Sequence, residues 1–257
     1  MIGPRSQRPT LRHERALWRA GHRWVAGMDE VGRGAWAGPV TVGVAVLFPS
    51  VRPSSMPLWL QDSKLLAEAR REAVFEEIAA WCADAGVGHA SAAECDRWGM
   101  TAALRLAGYR ALHALELRPH ALLVDGPVDL LRAGPGADRV PDLPPVAVPS
   151  TIVPRIDADA HCAAVAAASV LAKVVRDRIM RAEAEHFPAY DFEHNKGYPS
   201  LTHQIALAGY GLSSIHRRTW AFVDHLPHDR GRRGGSGGSP EAGRWDVADA
   251  VAGGGEG

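Results

Sequence analysis

Four acidic residues carry the chemical interest of this chain. Asp29 and Glu30 follow the apolar run WVAGM, Asp125 ends the apolar run HALLV, and Asp159 precedes an alanine-rich stretch. A carboxylate at the end of a buried strand is costly unless a partner or a cation neutralises it. No H-E-x-x-H or C-x-x-C pattern accompanies these acids. Oxygen donors without histidine or thiolate suit Mg²⁺ or Mn²⁺ rather than zinc. Two such ions about 4 Å apart can activate a water and stabilise the leaving oxygen of a phosphodiester. The acids point to phosphodiester hydrolysis.

The cations beside them are selective. Lysine occurs only at Lys64, Lys173 and Lys196, and every other basic residue is arginine. A compact ammonium is not interchangeable with a planar guanidinium near a phosphate or metal, so these three are candidate site contacts. Steps of three and four residues join Asp159, Cys162, Ala166, Ser169, Lys173 and Arg176, which predicts one helix with a polar stripe on a single face. Asp157 falls off that stripe, so Asp159 is the better candidate ligand. Gly32, Arg33 and Gly34 open a G-x-G-x-x-x-G run that enters a strand, which fails the context of a dinucleotide fingerprint. No G-K-[ST] follows, so it is no P-loop either. Glycines beside a carboxylate pair can instead let backbone approach a ligand closely.

These residues need a scaffold. Alternation and β-branched content predict strands over 24–30 and 39–48, joined as a hairpin, with a short strand near 87–90 and others over 120–126 and 146–153. Helical spacing predicts helices over 66–84, 100–117 and 159–186, with helix or loop through 215. Strands first paired as a hairpin, then alternating with helices, imply an α/β fold with one central mixed sheet flanked by α-helices. Two strand-end acids on one sheet can then converge at the same edge.

Composition limits the alternatives. The 257 residues carry 29 basic and 29 acidic side chains and are 46% hydrophobic, which excludes wholesale disorder and a globally polycationic binder. Three cysteines, odd in number, fit a reducing cytosol, and no apolar run approaches the roughly 20 residues needed to span a bilayer. A cytoplasmic monomer without membrane association is expected. Residues 1–21 read as an arginine-rich N-terminal extension, 22–228 as the catalytic domain, and 229–257 as a flexible Gly/Ser-rich tail. The extension reads as solubilising, with a phosphate-contacting arm as the alternative.

Taken together, the segments AGMDEVGRGAWAGPV (26–40), DSK (62–64), VDG (124–126), AAASVLAKVVRDRIM (166–180), HNKGYPS (194–200) and HRRTW (216–220) resemble ribonuclease HII, the type 2 bacterial ribonuclease H. The resemblance implies a ribonuclease H-like fold. It implies cleavage of RNA in RNA/DNA hybrids and at single ribonucleotides within duplex DNA, with Mg²⁺ or Mn²⁺ and with 3′-hydroxyl and 5′-phosphate products. It assigns the metal ligands to Asp29, Glu30, Asp125 and Asp159. It assigns recognition of the ribose 2′-hydroxyl to Gly32, Arg33 and Gly34, and stacking on the following sugar to Tyr198. Lys64, Ser169, Lys173, Arg176 and Lys196 complete the expected substrate contacts. The family commonly has Gly before the fourth acid, where this chain reads Asp157-Ala158-Asp159. Type 3 enzymes carry a large substrate-binding domain before the catalytic one, which favours type 2 here. A junction resolvase sharing the acids, or a catalytically silent hybrid-binding module, is the rival reading.

Overall fold

The computed structural model describes residues 8–60, 67–129, 131–132 and 144–226. Strands β1 (Val25–Val31) and β2 (Val40–Leu47) form an antiparallel hairpin that sets Asp29 opposite Gly43. Strand β3 (Asp84–Ala90) pairs antiparallel with the far side of β2. Strands β4 (Ala121–Asp125) and β5 (Thr151–Arg155) add in parallel beyond β1, giving the order β3-β2-β1-β4-β5. Every residue of β2 is buried, as a strand covered on both faces must be.

Two helical layers provide that cover. On one face Val40, Val42, Val44 and Val46 meet Leu104, Leu106 and Leu112 of α4 (Met100–His113), which follows α3 (Ala92–Trp98). On the other, Ala45 and Leu47 meet the alanine face of α6 (Ala163–His186), with Val74 and Ile78 of α2 (Glu68–Trp81) packed alongside. The α6 layer lies unusually near the sheet. A Cβ placed on Gly27 would stand 2.2 Å from the Ala164 carbonyl carbon and 2.2 Å from the Val165 nitrogen, so only glycine lets this helix touch β1 backbone to backbone.

The helix expected over 159–186 is two helices. The short α5 (Ala158–His161) holds Asp159, and the chain turns extended at Cys162 before α6 begins. The cause is distant in sequence: Thr10 pairs with Cys162, its N–H donating to the His161 carbonyl at 3.0 Å while its own carbonyl accepts from Ala163 N–H at 3.2 Å. The stripe argument for Asp159 therefore fails, since its periodicity does not run through Cys162. Burial separates the two acids instead, because Asp159 is buried while Asp157 is exposed in a left-handed turn. The strand expected over 146–153 lies later, as β5, and tolerates Pro154 because it is an edge strand.

The arginine-rich start is partly built into the body. Helix α1 (Arg12–Arg19) turns Arg12, Arg15 and Arg19 outward and packs against β1, while Leu11 joins the α6 core. The composition boundary at residue 22 is not a packing boundary. The tail beginning at 229 lies outside the described residues. Among the described residues no helix is long and apolar enough to cross a membrane, and the three cysteines are free thiols.

Glu14 is the buried tie of α1. Its Oε1 accepts from the Ala164 N–H at 2.8 Å, capping α6, while Oε2 has no hydrogen-bond partner among the described residues. Burial pushes its carboxyl up from 4.5 to about 7. The folded chain thus keeps a proton that the unfolded chain releases from about pH 4.5 upward, so stability contributed by this group falls between about 4.5 and 7. The shift corresponds to about 3 kcal/mol. Glu14→Gln keeps the acceptor and removes the ionisation. It is expected to match the parent in urea unfolding at pH 4 and to exceed it by about 3 kcal/mol at pH 8; equal stabilities at both pH values would contradict the burial argument.

Candidate active site

Strand ends and helices meet at a cleft of about 250 Å³ lined by Asp29, Glu30, Gly32–Gly34, Asp125, Ser169, Lys173 and Tyr198. Asp29 comes from β1 and is nearly buried at 6% exposure. Its Oδ1 accepts from the Glu30 N–H at 2.7 Å, and its carboxylate also meets the Ser169 hydroxyl on α6. Asp125 ends the adjacent parallel strand, where its Oδ1 accepts from the Ala158 N–H at 2.7 Å and so fixes the start of α5. That bond carries Asp159 toward the site. Burial raises the Asp29 carboxyl well above the usual carboxylate range, and the charges of Glu30, Asp125 and Asp159 push it further, against the Ser169 hydrogen bond. Asp29 thus stands within electrostatic reach of the other three acids, of which Glu30 and Asp125 line the cleft with it while Asp159 lies outside that lining. Among the described residues no three acidic, histidine or cysteine side chains are drawn together tightly enough to enclose an ion. An oxygen-only set under mutual repulsion is nevertheless the donor chemistry that a hard divalent cation relieves.

The loop after β1 forms the second wall. Gly32 has φ +86°, and a Cβ there would fall 2.2 Å from Arg176 Nε, so the position requires glycine on both counts. Arg33 reaches outward with its side chain 66% exposed, 3.7 Å from the Glu30 carboxylate. A Cβ placed on Gly34 would stand 3.9 Å from Tyr198 Cε1. The loop is held from beneath by Arg217, which sequence reasoning did not single out. Its guanidinium donates to the carbonyls of Gly32 at 2.7 Å, Arg33 at 3.0 Å and Gly38 at 3.2 Å. A fully buried arginine reads in sequence like any surface cation, and only its place in HRRTW marked it.

The expected cations divide. Lys173 lines the cleft and donates to Asp177 Oδ1 at 2.6 Å, an acid that also pairs with Arg71 at 3.3 Å. Arg176 and Lys196, expected at the substrate, are both buried and engaged with protein atoms. Arg176 donates to the carbonyls of Pro39 at 2.9 Å, Lys196 at 3.0 Å and Ala37 at 3.3 Å. Lys196 Nζ donates to the Glu193 carbonyl and pairs with Glu68 at 3.1 Å. Both shape the wall behind Tyr198, whose ring lies 5.4 Å from the Arg176 guanidinium carbon. Lys64 lies outside the described residues. Trp36 is stacked on Phe222 at 4.3 Å.

A mixed sheet in this strand order, with Asp29 near the end of β1, Asp125 ending the adjacent parallel β4 and α6 beside the cleft, fits the ribonuclease H-like fold. The structure is similar to that of the ribonuclease H2 of Pyrococcus horikoshii, with a TM-score of 0.64 and 28% identity over 79% of this chain and 96% of that one. The family model for Ribonuclease HII matches residues 26–223. The chain is 45% identical over 223 residues to a ribonuclease HII of Streptomyces avermitilis, covering 86% of this chain and 88% of the relative. It is 41% identical over 214 residues to one of Thermus thermophilus, covering 83% and 94%. The chain belongs to the ribonuclease HII family, type 2 ribonucleases H that hydrolyse RNA paired with DNA.

Proposed function

We propose that this ribonuclease H cleaves endonucleolytically within hybrids and also nicks duplex DNA on the 5′ side of a single embedded ribonucleotide, leaving 3′-hydroxyl and 5′-phosphate ends. The observation that carries this reading is the placement of the Gly32–Gly34 loop in the same cleft as Asp29, Glu30 and Asp125. The Gly32 carbonyl accepts from both Arg217 and the Ala35 N–H, which stiffens the loop, while the Arg33 carbonyl, held by Arg217, keeps a second lone pair for an incoming hydroxyl. A 2′-hydroxyl is the group that separates ribose from deoxyribose, so a rigid backbone reader beside the acids would place the cut at a ribonucleotide.

Asp29, Glu30, Asp125 and Asp159 would hold Mg²⁺ or Mn²⁺, and bound ions would supply an activated water and neutralise the scissile phosphate. Ser169 orients the Asp29 carboxylate through its hydroxyl. Lys173, kept in place by Asp177, offers the cleft a cation for phosphate oxygens. Tyr198 lines the cleft, where its ring would stack on the following sugar. The protein is read as a monomer of the cytoplasm, and Arg33 as a flexible contact to the nucleic acid.

The test compares three labelled duplexes with and without Mg²⁺: one embedded ribonucleotide, a full RNA/DNA hybrid, and DNA alone. Cutting is expected on the first two only, with the nick 5′ to the ribonucleotide. Equal cutting of all-DNA duplex would indicate a resolvase-like nuclease, and tight hybrid binding without turnover a silent binder.

A further inference from the structure

Behind Tyr198 two buried histidines stand in a row. His203 Nδ1 lies 2.8 Å from the Tyr198 carbonyl oxygen, and His203 Nε2 lies 2.8 Å from His216 Nε2. At the far end His216 Nδ1 meets the Ser213 N–H at 2.9 Å and the Ser213 hydroxyl at 2.7 Å. The two ends decide where the protons are. A carbonyl only accepts, so His203 Nδ1 carries a hydrogen; a backbone amide only donates, so His216 Nδ1 offers a lone pair. With one proton on each ring, His203 Nε2 is then an acceptor and His216 Nε2 a donor. The central contact is an N–H···N hydrogen bond, and assignments made from opposite ends agree. A second proton on His203 would set two N–H groups face to face, and one on His216 would oppose the Ser213 amide.

The surroundings enforce neutrality. Trp36, Tyr190 and Phe192 pack against the rings, and Arg218 is the charged group nearby. Burial lowers both imidazoles, His216 to about 3. The row also connects two walls of the cleft. His203 lies on α8 (Leu201–Tyr210), just after Tyr198, whereas His216 bridges to Ala37 and precedes Arg217, the residue that holds the Gly32–Gly34 loop.

We infer that His203 and His216 are positioning residues, a two-imidazole strut with one permitted proton arrangement that fixes Tyr198 relative to the Gly32–Gly34 loop. This rests on the reading of Tyr198 and that loop as substrate contacts. The strut touches neither substrate nor the acids, so its loss acts on binding: KM for the single-ribonucleotide duplex rises while kcat holds.

Two measurements test it. In the substrate-free full-length protein, long-range ¹H–¹⁵N spectra of the imidazoles are expected to show His203 protonated at Nδ1 and His216 at Nε2, unchanged from pH 8 to pH 5. The opposite tautomers, or a titration of either ring in that range, would overturn the strut. In a double-mutant cycle, Tyr198→Ala and His216→Ala are each expected to raise KM about tenfold, and the pair to raise it no further than Tyr198→Ala alone. His216→Gln, whose amide can donate to His203 Nε2, is expected to recover most of the loss. Additive effects, or a fall in kcat at constant KM, would refute the inference while leaving the activity intact. A silent Tyr198→Ala would refute the substrate reading beneath it.

Discussion

Asp29→Asn is expected to lose Mg²⁺-dependent nicking at an embedded ribonucleotide by roughly 10³-fold or more, and at the same time to make the metal-free protein more stable. The loss follows from the position of Asp29 among all the other acids, where a neutral amide is a poor ligand for a hard cation. About 4 kcal/mol of transition-state stabilisation, within the range that metal chemistry supplies, corresponds to that factor. The gain follows from the electrostatics of the same spot. Burial and three like charges oppose ionisation of Asp29, and the amide removes that repulsion while its oxygen can still accept from the Glu30 N–H. Thermal unfolding in EDTA should therefore show a higher midpoint for the variant, and added Mg²⁺ should narrow the gap by stabilising the parent alone. Retained nicking would sink the assignment of Asp29 as a ligand; a lower midpoint in EDTA would sink the repulsion argument.

Arg217→Ala is the second large effect. It leaves the Gly32, Arg33 and Gly38 carbonyls without the donor they share, at a position that is fully buried. Hydrogen bonds from a charged donor contribute about 1.5–3 kcal/mol each, and part of the loss is recovered because the guanidinium is itself costly to bury. A net destabilisation of about 3 kcal/mol is expected, seen as a midpoint lower by roughly 6–12 °C. Function should suffer in a specific way: cleavage at a single ribonucleotide falls, while Mn²⁺ binding by the four acids, measured by calorimetry, is unchanged. Arg217→Lys should not rescue it, since one ammonium cannot span three carbonyls in a planar fork. Normal cleavage in a folded Arg217→Ala protein would remove the loop from substrate recognition.

Much of this site was legible because its signals are local. Asp29 and Asp125 end short apolar runs, and strand alternation placed both runs, with the hairpin, close to where β1, β2 and β4 stand. Asp159 was chosen by a stripe that the structure breaks at Cys162, and the break is set by Thr10, far away in the chain. A run such as DADAHCAAVAAAS has helical composition throughout, so no local rule reveals that another segment will claim its backbone. The same holds for Arg176 and Lys196, whose charge suggested phosphate but which are buried and turned onto protein carbonyls and Glu68, and for Arg217, which no local signal singled out. Buried polar roles depend on what comes to surround a side chain, and that is written across distant segments.

The contact at Gly27 has a consequence for how this enzyme can vary. Where side chains separate a helix from a sheet, exchanging a leucine for a valine shifts the helix by a fraction of an ångström. Here peptide rests against peptide, so the offset between the strand that bears Asp29 and the helix that bears Ser169 is set by atomic radii rather than rotamers. Substitutions in the surrounding core can then change how firmly the molecule holds together without retuning the spacing of its reactive groups. Altered specificity is accordingly expected to arise through the loops at the cleft rim, while the helix–strand seam stays the same ruler in every functional variant.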